Sequence, residues 1–262
     1  MSSQKESTAR TLLVALLVCL VCSVFVAGAA IALKPTQQDN RLLDKQRSIL
    51  AIAGLGNPGM SGKEVKALFN DRITAKIVDL QTGTFSDAKD PLKYEPLQGA
   101  KDPAESIALT SDQDLAKLKR RERYTIVYLV QADGKLDKVV LPIRGQGLWS
   151  TLYGFIALKA DLDTVSGFGF YQHAETPGLG GEVDNPKWKA LWPGKTIYAD
   201  DGKVAISVVK GGVDPKSPKA EHQVDALAGA TLTSNGVDHL LKFWMGEEGF
   251  GPFITKLRAG EA

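Results

Sequence analysis

Tyr124-Thr125-Ile126-Val127-Tyr128-Leu129-Val130, then Asp133-Gly134, then Lys138-Val139-Val140-Leu141-Pro142-Ile143 form the strongest hairpin signal in the chain. β-Branched and aromatic residues suit a pleated, half-buried surface, and Asp-Gly accepts the positive φ angles of a tight turn. Outward from this pair, residues 151–160 and 164–172 continue as strands around Asp161-Leu162-Asp163, and residues 73–80 and 204–209 read as two more. Val237, Leu240, Leu241, Trp244 and Met245 follow helical spacing and define a last helix. Residues 62–70 predict a short helix. Residues 112–123 predict a charged surface helix with Leu115 and Leu118 facing inward, and 82–106 a polar connection. Strands in succession with helices at the flanks predict an α+β domain with a largely antiparallel sheet.

The chain has 262 residues and a formal charge of +2, enough length for one large or two modest cores. Near-neutral charge with scattered Lys and Arg gives no reason to propose nucleic acid as a partner. Residues 11–33 are apolar and carry no charge, and at ~1.5 Å per residue they reach across a bilayer core. Ala27-Gly28-Ala29 and Ala30-Ile31-Ala32 look like signal cleavage sites, but the run exceeds the usual secretory apolar segment of about 7–15 residues, which favours a retained anchor. Lys5 and Arg10 precede it, and Lys34, Arg41, Lys45 and Arg47 follow, so charge alone does not orient it. Cys19 and Cys22 both lie inside the run. They are half of a redox or metal motif, or small packing residues of a membrane helix. Residues 34–60 read as a membrane-proximal connection, a short helix followed by a loop punctuated by Gly54, Gly56 and Gly59.

Three further segments concentrate chemistry. Arg144-Gly145-Gln146-Gly147-Leu148-Trp149-Ser150 follows a strand. Its glycines admit a flat ligand close to the backbone and Trp149 offers a stacking face, though a tight turn with a core Trp reads as well. His173-Ala174-Glu175-Thr176-Pro177-Gly178-Leu179-Gly180-Gly181 is a loop able to close over a ring system, with N–H donors and Leu179 as a lid. A plain surface loop is the alternative, and His173 reads as a strand-end histidine. Asp225-Ala226-Leu227-Ala228-Gly229-Ala230-Thr231-Leu232-Thr233-Ser234 ends in a helix start. Small residues there let another molecule reach the Thr231 hydroxyl, and first-turn N–H groups with the helix dipole favour a phosphate. Taken alone it is also a capped turn. Gly145-Gln146-Gly147 lacks the third glycine of a dinucleotide fingerprint.

Together, a span, then Gly-Gln-Gly-Leu-Trp-Ser from Gly145, Glu-Thr-Pro-Gly-Leu-Gly-Gly from Glu175 and Gly-Ala-Thr-Leu-Thr-Ser from Gly229, resemble the C subunit of the bacterial sodium-translocating NADH:quinone reductases. The G subunit of the related Rnf complex shares two of these segments. The long stretch after the span and the Gly-Leu-Trp-Ser run favour the former. The resemblance implies one transmembrane helix, then an α+β FMN-binding domain, with FMN bound covalently through its phosphate to Thr231. A flavin transferase would install it outside the cytoplasm from FAD. Asp225 matches the start of the transferase pattern, but Ala228 stands where that pattern usually has Ser or Thr. Thr233 and Ser234 are read as helix-capping hydroxyls.

By the same resemblance the chain is the electron carrier of a six-subunit complex. That complex passes electrons from NADH toward ubiquinone, coupled to sodium export, and this chain alone is catalytically incomplete. The pocket is expected from Arg144, Gly145, Gly147, Leu148 and Trp149 on one side and Glu175, Thr176, Gly178, Leu179 and Gly180 on the other, with Asp225, Gly229 and Ala230 leading into Thr231. No catalytic residue or metal ligand is expected. The expected organisation is a cytoplasmic tail at 1–10, a transmembrane helix at 11–33 in the bacterial inner membrane, and a membrane-proximal region at 34–123. An FMN-binding domain at 124–262 on the periplasmic side completes it. The alternatives are an Rnf-type G subunit, a cofactor-free anchored interaction domain, or a free-standing flavin reductase.

Overall fold

A computed structural model describes residues 7–57, 59–132 and 134–262. Asp133 of the expected hairpin turn, and Lys5 with most of the expected tail, lie outside the described residues. The chain divides into two compact units, Met1–Asp44 and Lys45–Ala262.

Helix α1, Thr8–Ile52, supplies the first unit, and its last turns, from Lys45 onward, belong to the second. Among the described residues it is the one helix long and apolar enough to cross a membrane. Its large apolar side chains from Leu12 to Leu33 are exposed in the isolated chain, as a lipid-facing surface would be. The short helix expected within 34–60 is therefore the end of α1 itself, which runs through Pro35 to the glycine-marked turn at Gly54.

In the second unit, α2 (Gly62–Arg72) starts with Ser61 and Glu64 in a reciprocal capping box, which satisfies two first-turn N–H donors. It leads into β1 (Ile73–Asp79) and a short β2 (Thr84–Phe85). After α3 (Pro96–Gly99), β3 (Ser106–Ala108) and β4 (Arg120–Glu122) come the long strands β5 (Tyr124–Ala132), β6 (Lys135–Gln146), β7 (Thr151–Lys159) and β8 (Val165–Gln172). The main sheet has the order β2-β1-β5-β6-β7-β8, with every neighbouring pair antiparallel. β1 and β2, from the region 34–123, are thus strands of the same sheet as β5 to β8. Farther on lie α4 (Pro186–Lys189), β9 (Ser207–Val209) and β10 (Gln223–Asp225), the last two paired in parallel, then α5 (Thr231–Met245) and α6 (Gly251–Ala259).

Alternation along each strand gives the sheet two apolar faces. Val127, Val139, Leu141, Ile143, Ile156 and Leu158 join Val237, Leu240 and Leu241 of α5 in one core. Their strand neighbours Ile126, Tyr128, Val130 and Phe155 are buried on the opposite face, where Phe69 of α2 meets the Tyr128 ring edge-on. Gly236 sets the closeness of α5 to the sheet, since a Cβ there would run into the Gln146 carbonyl and lie 3.2 Å from the Gly147 Cα.

Two expectations are corrected. Residues 112–123 form no helix: the Asp114 carboxylate takes the N–H groups of Leu118 and Lys119 at 2.6 and 2.7 Å, while Lys117 and Lys119 adopt positive φ. Such local side-chain acceptors compete directly with helical carbonyls. The stretch ends in β4, Leu118 is partly buried against the core and Leu115 is exposed. The strand expected over 204–209 shrinks to β9, and α6 had no separate signal.

Candidate functional site

Thr231 is the first residue of α5 and is exposed. Gly229 precedes it at φ +73°, a left-handed turn residue that brings the chain to the helix, and Ala230 takes the N-cap position without a side-chain cap. The N–H groups of the first turn find no carbonyl in their own helix, so this end suits an anion. The neighbouring hydroxyls do not cap the helix, contrary to expectation. Ser234 donates from Oγ to the Ala230 carbonyl and accepts the Leu227 N–H, both at 3.0 Å. Thr233 donates from Oγ1 to Oε2 of Glu175 at 2.7 Å. Both are almost fully buried, so of the three hydroxyls only that of Thr231 is accessible.

Glu175 joins the three predicted segments. Its carboxylate accepts the backbone N–H of Leu148 at 3.1 Å, Trp149 at 2.9 Å and Ser150 at 3.1 Å, besides the Thr233 hydroxyl. Successive N–H groups converging on one anion form a backbone nest. Glycine on both sides makes room: a Cβ on Gly147 would sit 2.6 Å from Oε1, and one on Gly180 would sit 2.8 Å from Oε2. Burial pushes this carboxyl upward, but the bonds from Thr233, Trp149, Leu148 and Ser150 outweigh it and hold the group below the usual glutamate range.

The Glu175 loop itself is a type II turn. Pro177 and Gly178, at φ +74°, occupy its centre, and the Leu179 N–H donates to the Thr176 carbonyl at 3.1 Å. The Gly181 N–H bonds the same carbonyl at 2.9 Å, so these two donors serve the loop rather than a ligand. His173 anchors the loop by accepting the Glu175 N–H on Nδ1, which leaves Nε2 to donate to Asp184 at 2.7 Å. The Leu179 side chain approaches the 225–231 segment, since a Cβ on Gly229 would lie 3.4 Å from its Cδ2. Trp149 is 70 % exposed and Leu148, Leu179 and Leu232 are also open to solvent, which gives the three segments an apolar outer surface. An accessible hydroxyl at a helix start beside such a surface fits a phosphoester that carries a flat aromatic ring.

Three expected residues stand apart from this cluster. Arg144 is buried in an ion pair with Glu122, its guanidinium 5.6 Å from the Trp244 ring centre, and Gly145 packs against Leu240. Asp225 acts as a clamp: its Oδ1 accepts the Val213 N–H at 2.7 Å and its carbonyl accepts Trp188 Nε1 at 2.8 Å. Thr233 and Ser150 are participants that the sequence reading missed. A hydroxyl that bonds a carboxylate 58 residues away leaves no local pattern.

A sequence family described as an FMN-binding domain matches residues 147–246. A protein of Pseudomonas aeruginosa, named as the C subunit of the Na(+)-translocating NADH-quinone reductase, is 74% identical over 99% of this chain and 100% of its own length. One of the same name from Yersinia pestis is 51% identical over 97% of this chain and 95% of its own. Among solved structures, that of Shewanella oneidensis NqrC superposes with a TM-score of 0.76 at 37% identity, covering 86% of this chain and 99% of that one.

Proposed function

The chain belongs to the family of C subunits of the Na(+)-translocating NADH-quinone reductases, and from that premise we propose that it is the electron relay of its complex, carrying FMN as a phosphoester on Thr231. It is one subunit of an oxidoreductase complex, has an FMN-binding domain and has a helix fit to anchor it in a membrane. In this reading a flavin transferase moves FMN from FAD to the Thr231 hydroxyl on the periplasmic side, breaking the pyrophosphate and releasing AMP, and the complex has six subunits. Electrons pass from NADH toward ubiquinone with sodium export. An ester retains a cofactor where free flavin would be lost to the outside.

The observation that carries the reading is the selective exposure of Thr231 among three adjacent hydroxyls. When bound, FMN supplies one- and two-electron redox chemistry, and the protein supplies position and electrostatics. The first turn of α5 offers N–H groups to the diester's remaining charge, worth ~0.3–1 kcal/mol if partly exposed. Leu148, Trp149, Leu179 and Leu232 offer the ring an apolar bed. Asp225 and Trp188 hold the acceptor segment against the domain, and Ala228 leaves the acceptor hydroxyl in place.

Intact mass of the full chain, expressed with an active flavin transferase, tests this. The expected result is a gain of one FMN less one water, mapped to the peptide holding Thr231 and absent from Thr231→Ala, whose far-ultraviolet spectrum is unchanged. An unmodified mass in the wild-type chain would overturn the assignment.

A further inference from the structure

We infer that Glu175 is the positioning residue of the flavin site: its carboxylate fills the nest at residues 148–150 and, through Thr233, holds the first turn of α5 in register with both loops. The inference rests on Thr231 as the attachment point and adds what keeps that point still.

Four observations carry it. The carboxylate is bonded by three consecutive backbone N–H groups and by the hydroxyls of Ser150 and Thr233, drawn from two segments far apart in sequence. It is buried, and among the described residues no Lys or Arg forms an ion pair with it. Its charge is therefore balanced by dipoles alone and stays negative beside the site. Gly147 and Gly180 are the residues that give it space, and any side chain at either would displace it. Finally, Thr233 is two residues from Thr231 on the same helical turn, so a hold on one restrains the other.

The arrangement also settles which anion uses which donors. A nest of this kind would take a phosphate, but a protein carboxylate already occupies it. A phosphoester on Thr231 is thereby left to the N–H groups of α5, and the fixed negative charge nearby opposes the arrival of an electron.

The test compares wild type, Glu175→Gln and Thr233→Val in the full membrane chain, both unmodified and loaded. Gln keeps the shape but removes the charge and presents an NH2 to N–H donors; Val keeps the Thr shape and removes only the link to α5. In unmodified Glu175→Gln, hydrogen exchange at Leu148, Trp149 and Ser150 is expected to accelerate at least tenfold. In the loaded proteins, flavin fluorescence anisotropy is expected to fall in both variants. The one-electron oxidised-to-reduced ratio at fixed potential is expected to shift about tenfold toward reduced in Glu175→Gln alone, equivalent to about 59 mV. Wild-type exchange in Glu175→Gln would overturn the latch, and unchanged anisotropy and potential in the loaded variant would overturn its role toward the flavin. Lack of adduct on wild type overturns the attachment reading instead, which the exchange measurement on unmodified chain does not depend on.

Discussion

Burial, not residue type, separates the hydroxyls at the start of α5. Thr231, Thr233 and Ser234 are chemically close to equivalent, yet the last two are committed to Glu175 and to the Ala230 and Leu227 backbone. At this scale the site is sensitive to single atoms. Gly180→Ala places a methyl against the Thr233 hydroxyl, 2.8 Å from Glu175 Oε2 and 3.1 Å from its Cβ, where the carboxylate is already held by five donors. A cost of about 1–3 kcal/mol is expected for such overpacking, measurable as a lowered urea midpoint at unchanged slope. Glu175 also sets a pH dependence. Its folded value is lowered, so its stabilising contribution is complete above the unfolded glutamate value of about 4.3 and is lost as pH falls through the folded value. Urea titrations from pH 6 down to pH 3 are expected to show wild type losing stability faster than Glu175→Gln.

Among the elements, α5 is fastened at its start by side-chain bonds and along its length by apolar packing. Ser234→Ala removes the acceptor of the buried Leu227 N–H. An unsatisfied buried donor costs about 1–3 kcal/mol, or roughly 2–4 °C in Tm per kcal/mol for a domain of this size. Calorimetry should show that loss, whereas an unchanged Tm would mean that water replaces the serine. The missing helix at 112–123 teaches the converse. Its composition permits a helix, but Asp114 captures two N–H groups and the chain turns back to form β4.

At the scale of the molecule, the two-faced sheet explains why the region before residue 124 belongs with the rest. Ile49, Leu50 and Val65 are buried, and β1 is an interior strand between β2 and β5. A fragment starting at Lys45 is therefore expected to unfold cooperatively with the full domain's stability. One starting at Ile73 loses these side chains, each worth about 1.5–3 kcal/mol of burial, and is expected to melt broadly or aggregate. Scanning calorimetry of the two fragments decides it, and equal cooperativity would refute the two-faced packing.

Much of this was legible in order along the chain. Alternation in 124–130 and 138–143 announced the central hairpin, helical spacing marked α5, and an uncharged run marked the span, because each is a local periodicity that burial imposes on neighbouring residues. Three motifs in succession were enough to name a family. Sequence alone did not reveal that Glu175 reaches Thr233, that Arg144 turns to Glu122, or that Asp225 clamps Val213. Each is a pairing across 12 to 58 residues, decided by which donors, backbone or side chain, the folded sheet and loops bring against a carboxylate. Periodicity records which side of an element is buried; only the assembled chain determines what lies opposite it.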